Sequence, residues 1–141
     1  MAHAGDLDAI AGIELAAFEP ARRSSRAAIR RALGSSFQRV LVAELDGALA
    51  GFLVLWPHRL TWRVYNLASD PAWRNRGVAG ALLDAAASQA VAAGAARIVL
   101  ECRAEPGLMG FYAQRGYAVH RRLPNYYGRG EHAVRMVRPL P

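Results

Sequence analysis

A chain of 141 residues, 53% hydrophobic, with 18 basic and 11 acidic residues and a formal charge of +7, is long enough to close a core without disulfide or metal staples. It has no apolar run near the ~20 residues that span a bilayer, and its start, MAHAGDLDAI, lacks the basic and apolar stretches of a signal peptide. The single cysteine excludes an internal disulfide and a cysteine-based zinc site, and His3, His58, His120 and His132 have no metal-ligand spacing.

These totals predict a single domain over 1–141, cytoplasmic, with no metal and no membrane contact. Every basic residue is an arginine. Coding bias explains that as well as attraction to an anionic partner does, since alanine is equally overused. The arginines are spread along the chain, and no helix-turn-helix, zinc-finger or RNA-binding signature accompanies them, so no nucleic-acid partner is expected.

In chain order, GDLDAIAGIELAAF sets Leu7, Ile10, Ile13, Leu15 and Phe18 near helical spacing behind an acidic first turn. SSRAAIRRAL predicts a second short helix, capped by Ser24 or Ser25 and stopped at Gly34. QRVLVAELDGALAGFLVLW reads as two strands joined at Asp46-Gly47, a strong hairpin signal. A third run, LTWRVYNLAS, alternates until Asp70-Pro71 and completes an antiparallel meander over 38–69. GVAGALLDAAASQAVAAG predicts an alanine-rich helix ending at Gly94, and ARIVLECR a strand covered on both faces, with Cys102 as a small buried thiol. PGLMGFYAQRG gives a short helix closed by Gly116, and YAVHRRL and EHAVRMV a strand pair around the loop PNYYGRG. The order ααβββαβαββ is that of an α+β fold with a mixed sheet.

The junction DPAWRNRGVAG poses the functional question. A dinucleotide reading takes Gly77, Ala79 and Gly80 as a degraded glycine turn and Glu101 as a ribose partner. Against it, Pro71 to Arg76 separate the glycine from its strand, and the repeated βαβ units are missing. A second reading aims the unpaired N–H groups and positive dipole end of the helix at another pyrophosphate, with Arg74 and Arg76 adding charge. An arginine-rich loop that merely precedes a helix is the third reading.

The ordered series of motifs resembles the GNAT-type N-acetyltransferases. LASDPAWRNRGVAGALL is similar to their acyl-CoA signature, whose core, Arg/Gln-x-x-Gly-x-Gly/Ala, is filled here by Arg74, Gly77 and Ala79. The resemblance continues through LECRAEPGLMGFYAQRGY and LPNYYGRGEHAVRMV, and more weakly through GDLDAIAGIELAAF and VLVAELDGALAGFLV, so it spans nearly the whole chain. Its last two strong segments look most like the branch that acetylates protein N-termini, including bacterial ribosomal-protein alanine N-acetyltransferases.

The resemblance implies a GNAT-like mixed central sheet, formed by an antiparallel meander, then βαβα and a C-terminal strand pair, with helices on both faces. It implies acetyl-CoA as co-substrate, its arm lying in a gap where the strand before the signature bulges and splays. Leu67, Ala68 and Ser69 would line that arm and polarise the thioester carbonyl, where negative charge grows. Arg74, Asn75, Arg76, Gly77, Val78, Ala79 and Gly80 would hold the pyrophosphate.

An amine acceptor must lose a proton, and Glu101 occupies the base position of the LExR motif. The competing reading pairs it with Arg103 or Arg97. Tyr112, in FYAQRGY, matches the tyrosine that protonates the departing thiolate, or it simply packs a helix face. Tyr126 and Tyr127 match a pair lining a peptide entrance, or they cover a core edge.

Three departures stand out. Glu105-Pro106-Gly107 replaces a cofactor-contacting asparagine and changes the expected helix start; few residues precede the first helix, so either the family's first strand is shortened or the recorded start is internal; and EPARRSSR does not resemble an acceptor-site sequence. The expected function is transfer of an acetyl group from acetyl-CoA to a primary amine, a protein N-terminus or a small molecule, by a monomer or homodimer. The alternative is a CoA-binding module without catalysis.

Overall fold

Asp46 and Gly47 both adopt positive φ, 53° and 79°, the geometry of the two-residue turns that match the twist of a hairpin. They join β1 (Arg39–Leu45) to β2 (Ala48–Trp56). The computed structural model describes residues 6, 9–13, 26–35, 37–73 and 77–141. Among these lie also β3 (Thr61–Ser69), β4 (Arg97–Arg103), β5 (Ala118–Gly128) and β6 (Glu131–Pro139). The helices are α1 (Arg26–Gly34), α2 (Val78–Ala92) and α3 (Pro106–Ala113), with residues 9–13 also helical. Leu7, Leu15, Phe18, Ser24 and Ser25 lie outside the described residues, as does most of EPARRSSR. No described helix is long and apolar enough to cross a membrane.

The six described strands form one sheet in the order β1-β2-β3-β4-β6-β5. Only β3 and β4 run parallel; every other pair is antiparallel. The crossover between the parallel strands is α2, the connection such a pair requires. This is the predicted mixed sheet with a meander, βαβα and a final strand pair.

α2 forms because alanine has the highest helix propensity. It stays docked because Val78, Leu82, Leu83, Ala86, Ala87 and Ala90 make one buried face at helical spacing. It ends as predicted at Gly94, whose φ of +82° lets the Ala95 N–H reach the Ala90 carbonyl at 3.0 Å. α2 and α3 cover one face of the sheet over Leu53, Leu55, Trp62, Leu100 and Met136. Ile10, Ile13 and Ile29 cover the other over Val40, Phe52, Val54 and Ala68.

One expectation is corrected. PNYYGRG is not a loop: β5 runs to Gly128, and the chain turns only at Arg129-Gly130. β4 is covered on both faces as expected, with Ile98, Val99, Leu100 and Cys102 buried and Glu101 half-buried among charged neighbours.

Candidate active site

The parallel pair opens partway along. β3 carries one extra residue, Tyr65, between the pairs Val54↔Asn66 and Leu55↔Val64, and a bulge of this kind bends its strand. Ladder pairing with β4 runs from Thr61↔Arg97 to Val64↔Leu100 and stops, although both strands continue. Leu67, Ala68 and Ser69 therefore pair with β2 through Leu53, Phe52 and Gly51 but share no ladder pair with β4. The expected gap is present, and it opens towards the C-terminal ends of both strands.

α2 begins beside that gap. Gly77 caps it in the left-handed region, φ +75°, with no side-chain cap bond. A Cβ there would meet nothing within 4 Å, so the first turn of N–H groups is open to an anion, and an acyl-CoA pyrophosphate fits the donor set. Val78 is buried over Gly51, where a Cβ would stand 2.6 Å from Val78 Cγ1 and 2.9 Å from the Ala68 carbonyl. That close approach of helix and strand sets the distance between Gly77 and the gap.

Gly80 is also close-packed, but by protein: Arg115 lies across it and donates from Nη1 to Asp84 at 2.8 Å. Ala79 is half-buried. Arg74, Asn75 and Arg76 lie outside the described residues.

Glu101 stands on β4 just past the last β3–β4 pair. Its Oε1 accepts from Arg63 Nη1 on β3, and its Oε2 accepts from Arg135 Nε on β6 at 2.8 Å. The alternative pairing expected from sequence is thus corrected. Arg103 bonds Glu131 at 3.0 Å, and Arg97 donates to the Thr61 hydroxyl at 2.6 Å. Glu101 and Arg135 are direct cross-strand partners, much closer than same-strand neighbours two residues away.

On the opposite side of the sheet, Tyr112 reaches the core from α3. The substitution at Glu105-Pro106-Gly107 does not derail that helix, because Pro106 sits at its first turn, where a missing N–H costs nothing. Burial, with Cys102, Tyr117 and Tyr127 nearby, pushes the Tyr112 phenol well above its usual range. Cys102 is buried as expected, its Sγ 3.9 Å from Met136 Sδ. Burial, then Glu105 and Glu101, push its thiol up to about 11, so it is no nucleophile at neutral pH.

Tyr126 and Tyr127 belong to a wide irregularity of β5. Between the pairs Leu123↔Ala133 and Gly128↔Glu131, four β5 residues oppose His132 alone. Asn125, at φ +57°, anchors this arch: its N–H donates to His132 Nδ1 at 3.0 Å, and its Oδ1 accepts from the Gly130 N–H at 2.8 Å. The two rings meet edge to face at 5.1 Å. Tyr127 lies under the Arg103 guanidinium, while Tyr126 stays 52% exposed. The structure thus packs Tyr127 against Arg103 and leaves Tyr126 at the surface.

Sequence reasoning passed over Arg63, Arg135 and Arg115. Arg63 alone had a readable signal, as a charged residue at an alternating position within LTWRVYNLAS.

An opened parallel pair with a glycine-capped helix start beside it defines an acyl-CoA-dependent transferase fold. The chain belongs to the acetyltransferase (GNAT) family, whose model matches residues 7–117. No curated protein sequence matches it. Among solved structures it is similar to the ribosomal-protein-S18-alanine N-acetyltransferase from Escherichia coli, with 24% identity and a TM-score of 0.89 over 99% of this chain and 90% of that one. Ard1 from Thermoplasma volcanium shares 26% identity, with a TM-score of 0.85 over 99% of this chain and 95% of that one. An aminoglycoside 6'-N-acetyltransferase complexed with coenzyme A shares 17%, with a TM-score of 0.81 over 96% of this chain and 91% of that one.

Proposed function

We propose that the protein transfers an acetyl group from acetyl-CoA to a primary amine, and that this amine is a protein N-terminus. The observation that carries the reading is the meeting of two halves of a reaction at one gap. The open N–H groups after Gly77 lie on one side, and the carboxylate of Glu101 lies just past the last β3–β4 pair.

In this reading Gly77 to Gly80 hold the pyrophosphate through their N–H groups, with Arg74, Asn75 and Arg76 beside them. Gly80 takes part by its backbone alone, since Arg115 fills the space above its Cα. Leu67, Ala68 and Ser69 line the arm and direct an N–H at the thioester oxygen. Glu101 accepts the proton that the amine loses, directly or through water. Tyr112 remains a phenol, because burial favours its neutral form, and donates a hydrogen bond to the departing sulfur. Tyr126 and Tyr127 border the acceptor entrance. The peptide acceptor is supported by that aromatic arch and by the fold shared with the S18-alanine enzyme.

The occupied state of Glu101 favours a second reading, CoA binding without transfer, because both its oxygens already accept from guanidiniums. Calorimetry with acetyl-CoA, and with NADH and ATP as controls, tests the cofactor half. Thiol release with an alanine-starting peptide beside a polyamine panel tests the acceptor half. In Glu101→Gln we expect kcat to fall by roughly 10²–10⁴ with acetyl-CoA affinity kept; unchanged turnover, with the chemical step limiting, would remove Glu101 from its role. Acetyl-CoA binding with no thiol release on any amine would establish the second reading.

A further inference from the structure

Resting on the transfer reading above, we infer that the acceptor carries a carboxylate within one residue of its amine, held by Arg63. Two guanidiniums face one carboxylate at Glu101, which leaves the cluster one positive charge in excess. Each guanidinium has five N–H donors and no acceptor, and the contacts to Glu101 use one nitrogen of each.

Arg63 also lines a hollow of about 480 Å³ with Phe37, Trp56, Pro57, His58 and Val99, a size that holds a small ligand or a peptide end. Val99 lies two residues before Glu101 on the same strand face, roughly 7 Å away. The hollow therefore ends beside the carboxylate that is to receive the amine's proton.

Its wall is completed by Trp56, whose ring is stacked on Tyr65 with centroids 3.9 Å apart and planes 14° apart. A carboxylate supplies acceptors to the unused donors of Arg63, whereas a polyamine supplies none and meets the excess charge. An anion that draws Arg63 towards itself also releases Glu101 Oε1, the oxygen free to accept the amine's proton. The clamp on Glu101 is then opened by the correct acceptor.

The test compares kcat/KM for Glu-, Gln- and Ala-starting peptides of otherwise one sequence, and for free alanine beside alaninamide. We expect Glu over Gln by about tenfold, the scale of one charge-assisted hydrogen bond, and a ratio near one in Arg63→Gln, whatever that change does to absolute turnover. Retained acetyl-CoA binding shows that the variant is folded, and Arg63→Lys, which keeps the charge, gives a second variant in which part of the preference returns. A preference confined to alanine over alaninamide places the carboxylate on a free amino acid and also supports the inference.

Turnover with Glu and Gln peptides equal, and alanine equal to alaninamide, overturns the inference and leaves acetyl transfer standing. If no amine is acetylated, the transfer reading fails by itself. Calorimetry of the N-acetyl-Glu and N-acetyl-Gln peptides on CoA-loaded protein then decides the charge preference: tighter Glu supports it, and equal affinity overturns it.

Discussion

Tyr112 serves a departing sulfur only while it keeps its proton, and the residues around it ensure that. Its pKa is raised, first by burial and then by Cys102, Tyr117 and Tyr127, so the neutral phenol persists to higher pH than in water. Tyr112→Phe keeps the ring and removes the donor. It should lower kcat by roughly 10–100-fold, the scale of a lost transition-state hydrogen bond, with little change in acetyl-CoA affinity. The alkaline side of the kcat profile, up to pH ~10, should look the same in both proteins. A wild-type limb near that pH that vanishes in the Phe variant would show that burial does not hold the proton. Glu101 and Tyr112 were legible because each sits in a motif with its own order along the chain. The partners of Glu101 were not. Arg63 and Arg135 lie 38 and 34 residues away in sequence, and only the strand register brings them across. Sequence proximity suggested Arg97 and Arg103, but these stand four and two residues away on the same strand, roughly 13 and 7 Å, farther than neighbours on adjacent strands.

Among elements, the placement of α2 against β2 decides whether the cradle and the gap meet. The contact is made at Gly51, where any Cβ would press on Val78 and on the Ala68 carbonyl. Gly51→Ala should therefore cost about 1–3 kcal/mol in denaturant unfolding, and acetyl-CoA affinity should fall with it as α2 is pushed from the sheet. A fully stable variant with normal affinity would mean that helix and strand part without consequence. Gly51 gave no sign of this in sequence, since it stands in an ordinary apolar run. The ends of the elements were legible: Asp46-Gly47, Gly94 and Gly116 all take the positive φ that turns and helix stops need. β5 was misread for the converse reason. Pro124, Asn125, Gly128 and Gly130 are turn residues, but an edge strand tolerates a proline and absorbs a bulge that a central strand would not.

At the scale of the whole molecule, the composition makes one part of the titration curve unusually clean. The basic residues are all arginines, which stay charged above pH 12, so no lysine titrates between pH 9 and 12. Apart from the amino terminus, the groups left to lose protons there are the tyrosines and one cysteine. Three of them, Cys102, Tyr112 and Tyr117, sit in the same core under α2 and α3. Burial raises the Cys102 thiol from 9.0 to about 11 and the Tyr117 phenol from 10.0 to about 12, Arg138 partly opposing the latter, and it raises Tyr112 as well. A raised acid keeps its proton in the folded chain and loses it first in the unfolded one. Its stabilising effect is therefore whole below the unfolded pKa and is lost as pH climbs to the folded value. Unfolding free energy should be flat from pH 7 to 9 and then fall by on the order of a few kcal/mol by pH 12. Cys102→Ala should remove the portion lost between pH 9 and 11, leaving a later onset set by the two tyrosines. Urea melts at half-unit pH steps on both proteins read this directly. A decline already present at pH 8, or one that Cys102→Ala leaves unmoved, would mean that the core opens before these groups ionise.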